Sequence, residues 1–345
     1  MSKRKEAGAD VGGGAQPAAL AAKQNPGSEH CVTSNYNGGA GLSVGAPLPL
    51  TVSFPGCCDA NAHPRDRQIR LDETRHVYEY TDGQGVLYEF SISVSGIWAK
   101  YFARFNPQVI VDTYFLKWSQ DVGSKYHAQI AAGRLVSRND EDLKQDIIDA
   151  WKANGADASS RGTYMHKQIE LALGRFVYDD SPPEMQHFVR WVSEVPERMC
   201  WQVYRTEWSI FSLEALVAGQ IDAIFRDTEG KFHMVDWKRC KEPLLQDAKI
   251  QFGRFGMSPL EEMVDNEWSH YVVQQNLYAT ILRREYDFIL ESMALVRCHP
   301  DAETYQHVHV PGLCQEVVWG MLEANRGHLT RITGAHCSLG AFGGG

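Results

Sequence analysis

The chain has 345 residues, 43% of them hydrophobic and 11% aromatic, enough for a sizeable buried core in one large domain or two small ones. Its formal net charge of −9 argues against binding nucleic acid by bulk electrostatics, so any such contact has to be local. Eight scattered cysteines without a C-x-x-C pair, no leader pattern and no apolar run of spanning length exclude a disulfide framework, a zinc ribbon and a transmembrane helix, and lead us to expect an intracellular protein with reduced thiols.

Residues 1–65 are dense in Gly, Ala, Pro, Ser and Asn, with too little periodic apolar content to offset the entropy of ordering, and are expected to be disordered. A folded domain is expected over 66–332, with a hairpin and helical part over 66–155 and a Gly-rich tail over 333–345. The aromatic and β-branched runs "HVYEY" and "VLYEF" flank "TDGQG" and predict a β-hairpin. Ser93 or Ser95 then caps a helix predicted through "GIWAKYFARF", and Pro107 opens a second one. "NDEDLKQDIIDAWKANG" carries its own cap and an acidic first turn, and predicts a helix stopping at Gly155. A separate helix is predicted from "SSRGTYMHKQIELALGRFV", followed by the amphipathic "PPEMQHFVRWVSEV".

The period then changes to that of strands. "QVYRTEWSI", "LVAGQIDAIF" and "KFHMVDWK", the last two joined by "RDTEG", predict an antiparallel meander. A long helix, "EWSHYVVQQNLYATILRREY", a strand in "FILESMALVRC" and a last helix, "QEVVWGMLEANRGHLTRI", complete the series. The order of elements predicts an α/β fold with a mixed central sheet and helices on its faces.

The chemistry concentrates on the meander. Side chains alternate along a strand, so Asp236 and Lys238 share a face while Trp237 points to the other. The short turn brings Asp222 beside Asp236 within one step of register. Two carboxylates that close disfavour each other's ionisation unless a cation lies between them, and oxygen ligands suit Mg²⁺ or Mn²⁺ better than zinc. Such an ion polarises a phosphoryl oxygen, and an adjacent Lys orients or deprotonates water, which is equipment for hydrolysing a phosphodiester. The alternative for an isolated D-x-K is a pair of exposed strand residues at a sheet edge. His166 and Glu170, four apart on the preceding helix, can face the same site; Glu207 is a charge amid apolar strand positions; Gln274 and Tyr278 lie four apart on a largely apolar helix.

In order, Gly162 to His166 (G-x-x-x-H), Gly219 to Asp222 (G-x-x-D), Asp236 to Lys238 (D-x-K) and Gln274 to Tyr278 (Q-x-x-x-Y) resemble the motifs of the PD-(D/E)XK nuclease superfamily. The likeness covers about residues 69–311, with the catalytic core at 156–311, and is nearest to the RecB-like branch that includes lambda-type exonucleases and the mitochondrial genome maintenance exonuclease. It implies a restriction-endonuclease-like core and a Mg²⁺- or Mn²⁺-dependent deoxyribonuclease, acting on DNA ends or single strands in repair, recombination or replication, with a helicase or recombination protein as partner. It further implies that Asp222, Asp236, His166 and the main-chain carbonyl of Trp237 bind the metal and that Lys238 positions or activates the attacking water. Gln274 and Tyr278 would contact DNA or order the site, with Glu170 and Glu207 in support or at a second metal. Ile221 stands where the superfamily name has Pro, and the dispersed Cys298, Cys314 and Cys337 lack the tight trio that iron–sulfur members of the branch use, so no cluster is expected.

Arg161, Arg239, Lys241, Lys249 and Arg254 form a candidate basic path for DNA, with Arg161 expected just before the N-terminus of the His166 helix. A noncatalytic DNA-binding or scaffold module of the same fold, or a structure-specific endonuclease, is compatible with the same residues.

Overall fold

The computed structural model describes residues 57–246 and 254–332. The chain enters through α1 (Cys57–Ala60) and a 3₁₀ turn over Pro64–Gln68. Asn61 donates to the Tyr204 carbonyl at 3.0 Å and Arg65 to the Glu285 carboxylate at 2.8 Å. Residues 57–65, expected to be disordered, are therefore ordered by side chains that reach distant elements, a signal that local composition does not carry. The rest of that segment, 1–56, and the tail from 333 lie outside the described residues.

The predicted hairpin is present as β2 (Val77–Thr81) and β3 (Leu87–Phe90), antiparallel, with β1 (Ile69–Asp72) beside β2. A strand from the end of the chain, Leu329–Arg331, closes this sheet against β3. It falls where the last helix was expected to continue. That helix ends at Ala324, and Gly327 donates to the Ala215 carbonyl. A Cβ there would come within 2.3 Å of the Leu216 carbonyl oxygen, so close backbone approach, not helical propensity, decides the path.

Ser93 caps α2 (Val94–Trp98) by accepting the Gly96 N–H, but this helix is shorter than predicted. The chain leaves it so that Tyr101 and Phe102 enter the core. Then α3 (Pro107–Gln120), capped by Asn106, and α4 (His127–Leu135) pack with the first turns of a long helix that begins at Asp140 around Val111, Phe115, Ile130, Leu143 and Ile147. The predicted break at Gly155 does not occur: α5 is one helix of 34 residues, Asp140–Leu173. An interior glycine costs a helix only about 1 kcal/mol, and 34 residues at 1.5 Å each give a rod of about 50 Å anchored in packing at both ends. Next comes α6 (Pro183–Glu194).

The second sheet runs β4 (Gln202–Ser212), β5 (Val217–Arg226), β6 (Phe232–Lys238), β7 (Ser292–Arg297), β8 (Gln306–His309). The first three form the predicted antiparallel meander; β7 is parallel to β6 and β8 antiparallel to β7, so the sheet is mixed. Between β6 and β7 lies α7 (Glu267–Glu285), capped by Asn266; α8 (Gln315–Ala324) precedes β9 (Leu329–Arg331). One face of the sheet packs Ile224, Met234 and Leu295 against α7, α2 and α8. The other packs Phe225, Val235 and Trp237 against α6 and the C-terminal part of α5. The protein is thus α/β, with helices on both faces of a mixed sheet. Among the described residues no helix is long and apolar enough to cross a membrane.

Candidate functional site

Ala223 stands opposite Val235 across β5 and β6, so one further step places Asp222 opposite Asp236, as the short turn predicted. The ladder opens there: the Asp222 carboxylate, instead of a main-chain oxygen, accepts the Trp237 N–H at 2.8 Å. On the other side Thr206 faces Ala223 and Trp208 faces Ile221, which leaves Glu207 across from Asp222. Glu207 has φ +46°, in the left-handed region that a non-glycine residue adopts at a cost of order 1–3 kcal/mol. A strained residue in mid-strand is thereby aimed at the candidate site.

The long helix supplies the third group. One ligand atom each from His166, Glu207 and Asp222 lie within 4.8 Å of one another, an arrangement that could hold a metal ion. His166 Nδ1 is 3.5 Å from Asp222 Oδ2, and its Nε2 is 3.0 Å from the Trp237 carbonyl oxygen. The Trp237 carbonyl is thus within hydrogen-bonding reach of His166, while the Trp237 ring faces away into contact with Phe188 and Trp191.

Asp236 is not a member of this three-residue group. Its Oδ2 is paired with Lys238 Nζ at 2.5 Å, and its Oδ1 accepts from Gln275 Nε2 at 2.8 Å. Burial, with the Asp222 charge adding and Lys238 opposing, pushes Asp236 up to about 6. Burial pulls the Lys238 amine down, but Asp236 and Asp222 outweigh it and leave it above its ordinary value, held as an ammonium. Glu207 carries the largest conflict: burial first, then Asp222 and Glu170, push it up to about 9.

One face of α7 addresses this pair with residues at i, i+3, i+4 and i+7. Lys238 Nζ lies 4.5 Å from the Tyr271 ring centroid and donates to Gln274 Oε1 at 3.4 Å; Gln274 Nε2 in turn meets the Tyr278 hydroxyl at 3.4 Å. Tyr278 is buried, and a Cβ on Gly219 would come within 2.6 Å of its ring, which explains the glycine of the G-x-x-D stretch. Gly162 of the G-x-x-x-H stretch has no such neighbour, and a Cβ there would meet open space. Sequence reasoning missed Tyr271 and Gln275, although the helical spacing in "YVVQQNLY" carries them onto the stripe. It also missed Tyr78, whose phenol is raised well above its usual value by burial and by the charges of Glu207 and Asp222; it comes from the other sheet, and no local pattern connects it.

Other predicted residues are not gathered here. Glu170 pairs with Lys167 at 2.7 Å and reaches Glu207 only through its field. Arg161 is not at a helix start: it lies inside α5, exposed and paired with Asp157, and the uninterrupted helix offers no N-terminal phosphate site there. Arg239 is withdrawn from solvent in an ion pair with Glu184 at 2.7 Å, because the alternation of β6 carries it to the α6 side. Lys241 is exposed near Asp301, Arg254 precedes a bridge in the connection to α7, and Lys249 lies outside the described residues. Arg161 and Arg239 are thereby engaged by carboxylates of the fold itself.

No protein-family model and no curated protein matches the chain. Among solved structures it is similar to one titled "Crystal structure of SSO0001", at 18% identity over 47% of this chain and 68% of that one, with a TM-score of 0.23. A likeness of that size leaves the site's own chemistry as the ground for function.

Proposed function

We propose that the protein is a metal-dependent deoxyribonuclease with a restriction-endonuclease-like core, hydrolysing phosphodiester bonds at DNA ends or in single strands. The observation that carries this reading is the convergence of His166, Glu207 and Asp222 beside the Trp237 carbonyl and the Asp236–Lys238 pair.

The donor set fits a divalent cation. Glu207 and Asp222 stand together with His166 while Asp236 is paired with Lys238, and burial with the Asp222 charge raises Glu207, so the group favours a proton or a cation there. His166, Glu207, Asp222 and the Trp237 carbonyl would hold Mg²⁺ or Mn²⁺, with Asp236 recruited from its pair with Lys238. Bound there, the ion would supply Lewis-acid polarisation of a phosphoryl oxygen and neutralise charge that develops on phosphorus. Lys238, held as an ammonium, would orient the attacking water and donate to the phosphoryl oxygens, not remove a proton. The water oxygen forms its bond to phosphorus as the bond to one sugar oxygen breaks, and the proton that the water gives up passes through solvent to the departing oxygen, which leaves as an alcohol. Gln274 and Tyr271 keep the Lys238 amine at that position.

Incubation with end-labelled single-stranded, duplex and circular DNA in Mg²⁺ or Mn²⁺ tests the reading. Labelled mononucleotides released from one end are expected, and intact substrate in every case would overturn it. Degradation of circles would make the protein an endonuclease, and DNA binding without cleavage would favour a noncatalytic module.

A further inference from the structure

Gln275 stands out among the groups around the site. It is 1% exposed, in the middle of α7, and donates its amide N–H to Asp236 Oδ1 at 2.8 Å. Its own Oε1 is buried and makes no hydrogen bond. Leaving such an acceptor unsatisfied costs about 1–3 kcal/mol, so an apolar residue of the same size would be the more stable choice if α7 only had to pack. The carboxylate also fixes which way the amide points, because only its NH₂ end can face an acceptor.

What Gln275 provides is orientation. Asp236 is 3% exposed, and its two oxygens are divided between two partners, Gln275 on Oδ1 and Lys238 on Oδ2. The torsion of an aspartate carboxylate is broad, and one strong donor on Oδ1 sets the plane and aims Oδ2 at Lys238 and the site. The neighbouring Gln274 touches Lys238 and not Asp236, so the two glutamines address the two members of the pair separately.

We infer that Gln275 is a positioning residue that holds the Asp236 carboxylate in the rotation from which it joins a divalent cation. This rests on the metal-site reading above. Partners behind a metal ligand typically contribute ten- to a hundredfold to metal affinity, and a loss of about tenfold is expected here because Lys238 still constrains Oδ2.

The test is Mn²⁺ binding by the full chain, measured by calorimetry and by the electron paramagnetic resonance signal of free Mn²⁺. The variants are Gln275→Met, Gln275→Leu, Asp236→Asn and Gln275→Met with Asp236→Asn, each checked for a cooperative thermal transition. Gln275→Met and Gln275→Leu are expected to bind Mn²⁺ about tenfold more weakly than the unaltered protein. In the Asp236→Asn background the Gln275→Met change is expected to have no further effect, which a general loosening of α7 would not reproduce. Folded Gln275 variants that bind Mn²⁺ as the unaltered protein does, or an equal loss with and without Asp236, would overturn the inference and leave the metal-site reading standing. An unaltered protein that takes up no Mn²⁺ would overturn both.

Discussion

Replacing Glu207 by Gln isolates the electrostatic conflict at the site, because the shape is kept and the ionisable group is lost. In the unfolded chain a glutamate ionises near 4.5, whereas in the fold burial and the neighbouring Asp222 and Glu170 push Glu207 up to about 9. The fold therefore favours the protonated form: its stability in the absence of divalent metal is highest below the unfolded value and falls as pH rises through the folded one. Each pH unit of difference is worth 1.36 kcal/mol at most, and Glu207 is only half-buried, so solvent screening leaves a loss of about 2 kcal/mol between pH 6 and pH 9. For a protein of this size that is roughly 3–4 °C in Tm. Thermal melts in chelator across that range should show this decline in the unaltered protein and a flatter line in Glu207→Gln. Divalent metal should remove most of the decline by replacing the proton, with a release of about one proton per ion at pH 7, read from calorimetry in buffers of different ionisation enthalpy. Parallel pH profiles for the two proteins would refute the placement of Glu207 beside Asp222.

Other expectations separate the site from the scaffold. Gly219→Ala should destabilise the protein by about 1–3 kcal/mol, through the clash of its Cβ with the Tyr278 ring and Val94, whereas Gly155→Ala, on the open side of α5, should stabilise it by about 0.5–1 kcal/mol in denaturant titrations. Arg239→Ala should cost about 3–5 kcal/mol of stability by leaving Glu184 buried without its partner, and a variant that melts normally but loses DNA binding would contradict the structural role assigned to it. Lys238→Met should also lower stability by leaving Asp236 buried without its partner, and in the protein that remains folded cleavage should fall by about 10²- to 10³-fold in a single-turnover assay, because a fixed charge at the phosphoryl oxygens is lost.

The meander was legible because its signal is local: alternation put Asp236 and Lys238 on one face, and the length of "RDTEG" set the register that brings Asp222 across from Asp236. His166 and the Trp237 carbonyl were named from the motif order, and they stand 3.0 Å apart. Glu207 was read as a supporting residue, yet it joins Asp222 and His166 in the compact three-residue group that Asp236 is outside, and its positive φ is something that residue type alone does not reveal. Arg239 was misassigned because charge in sequence says nothing of a partner fifty-five positions away on α6. The break expected at Gly155 failed because a penalty of about 1 kcal/mol is smaller than the packing that both ends of α5 gain. The four-stranded sheet was half visible: its hairpin has a turn signature, while β9 is three residues held by pairing with a strand some 240 positions earlier.

The central claim is that His166, Glu207 and Asp222 hold a divalent ion with which Lys238 acts in DNA hydrolysis. Its most direct test is cleavage of end-labelled DNA in Mn²⁺ by the unaltered protein and by Asp222→Asn, with Mn²⁺ binding measured on the same preparations. The account predicts that the unaltered protein binds Mn²⁺ and cleaves, and that Asp222→Asn, folded to the same melting transition, loses both. Cleavage by Asp222→Asn at the unaltered rate, or Mn²⁺ binding that does not depend on Asp222, would contradict it.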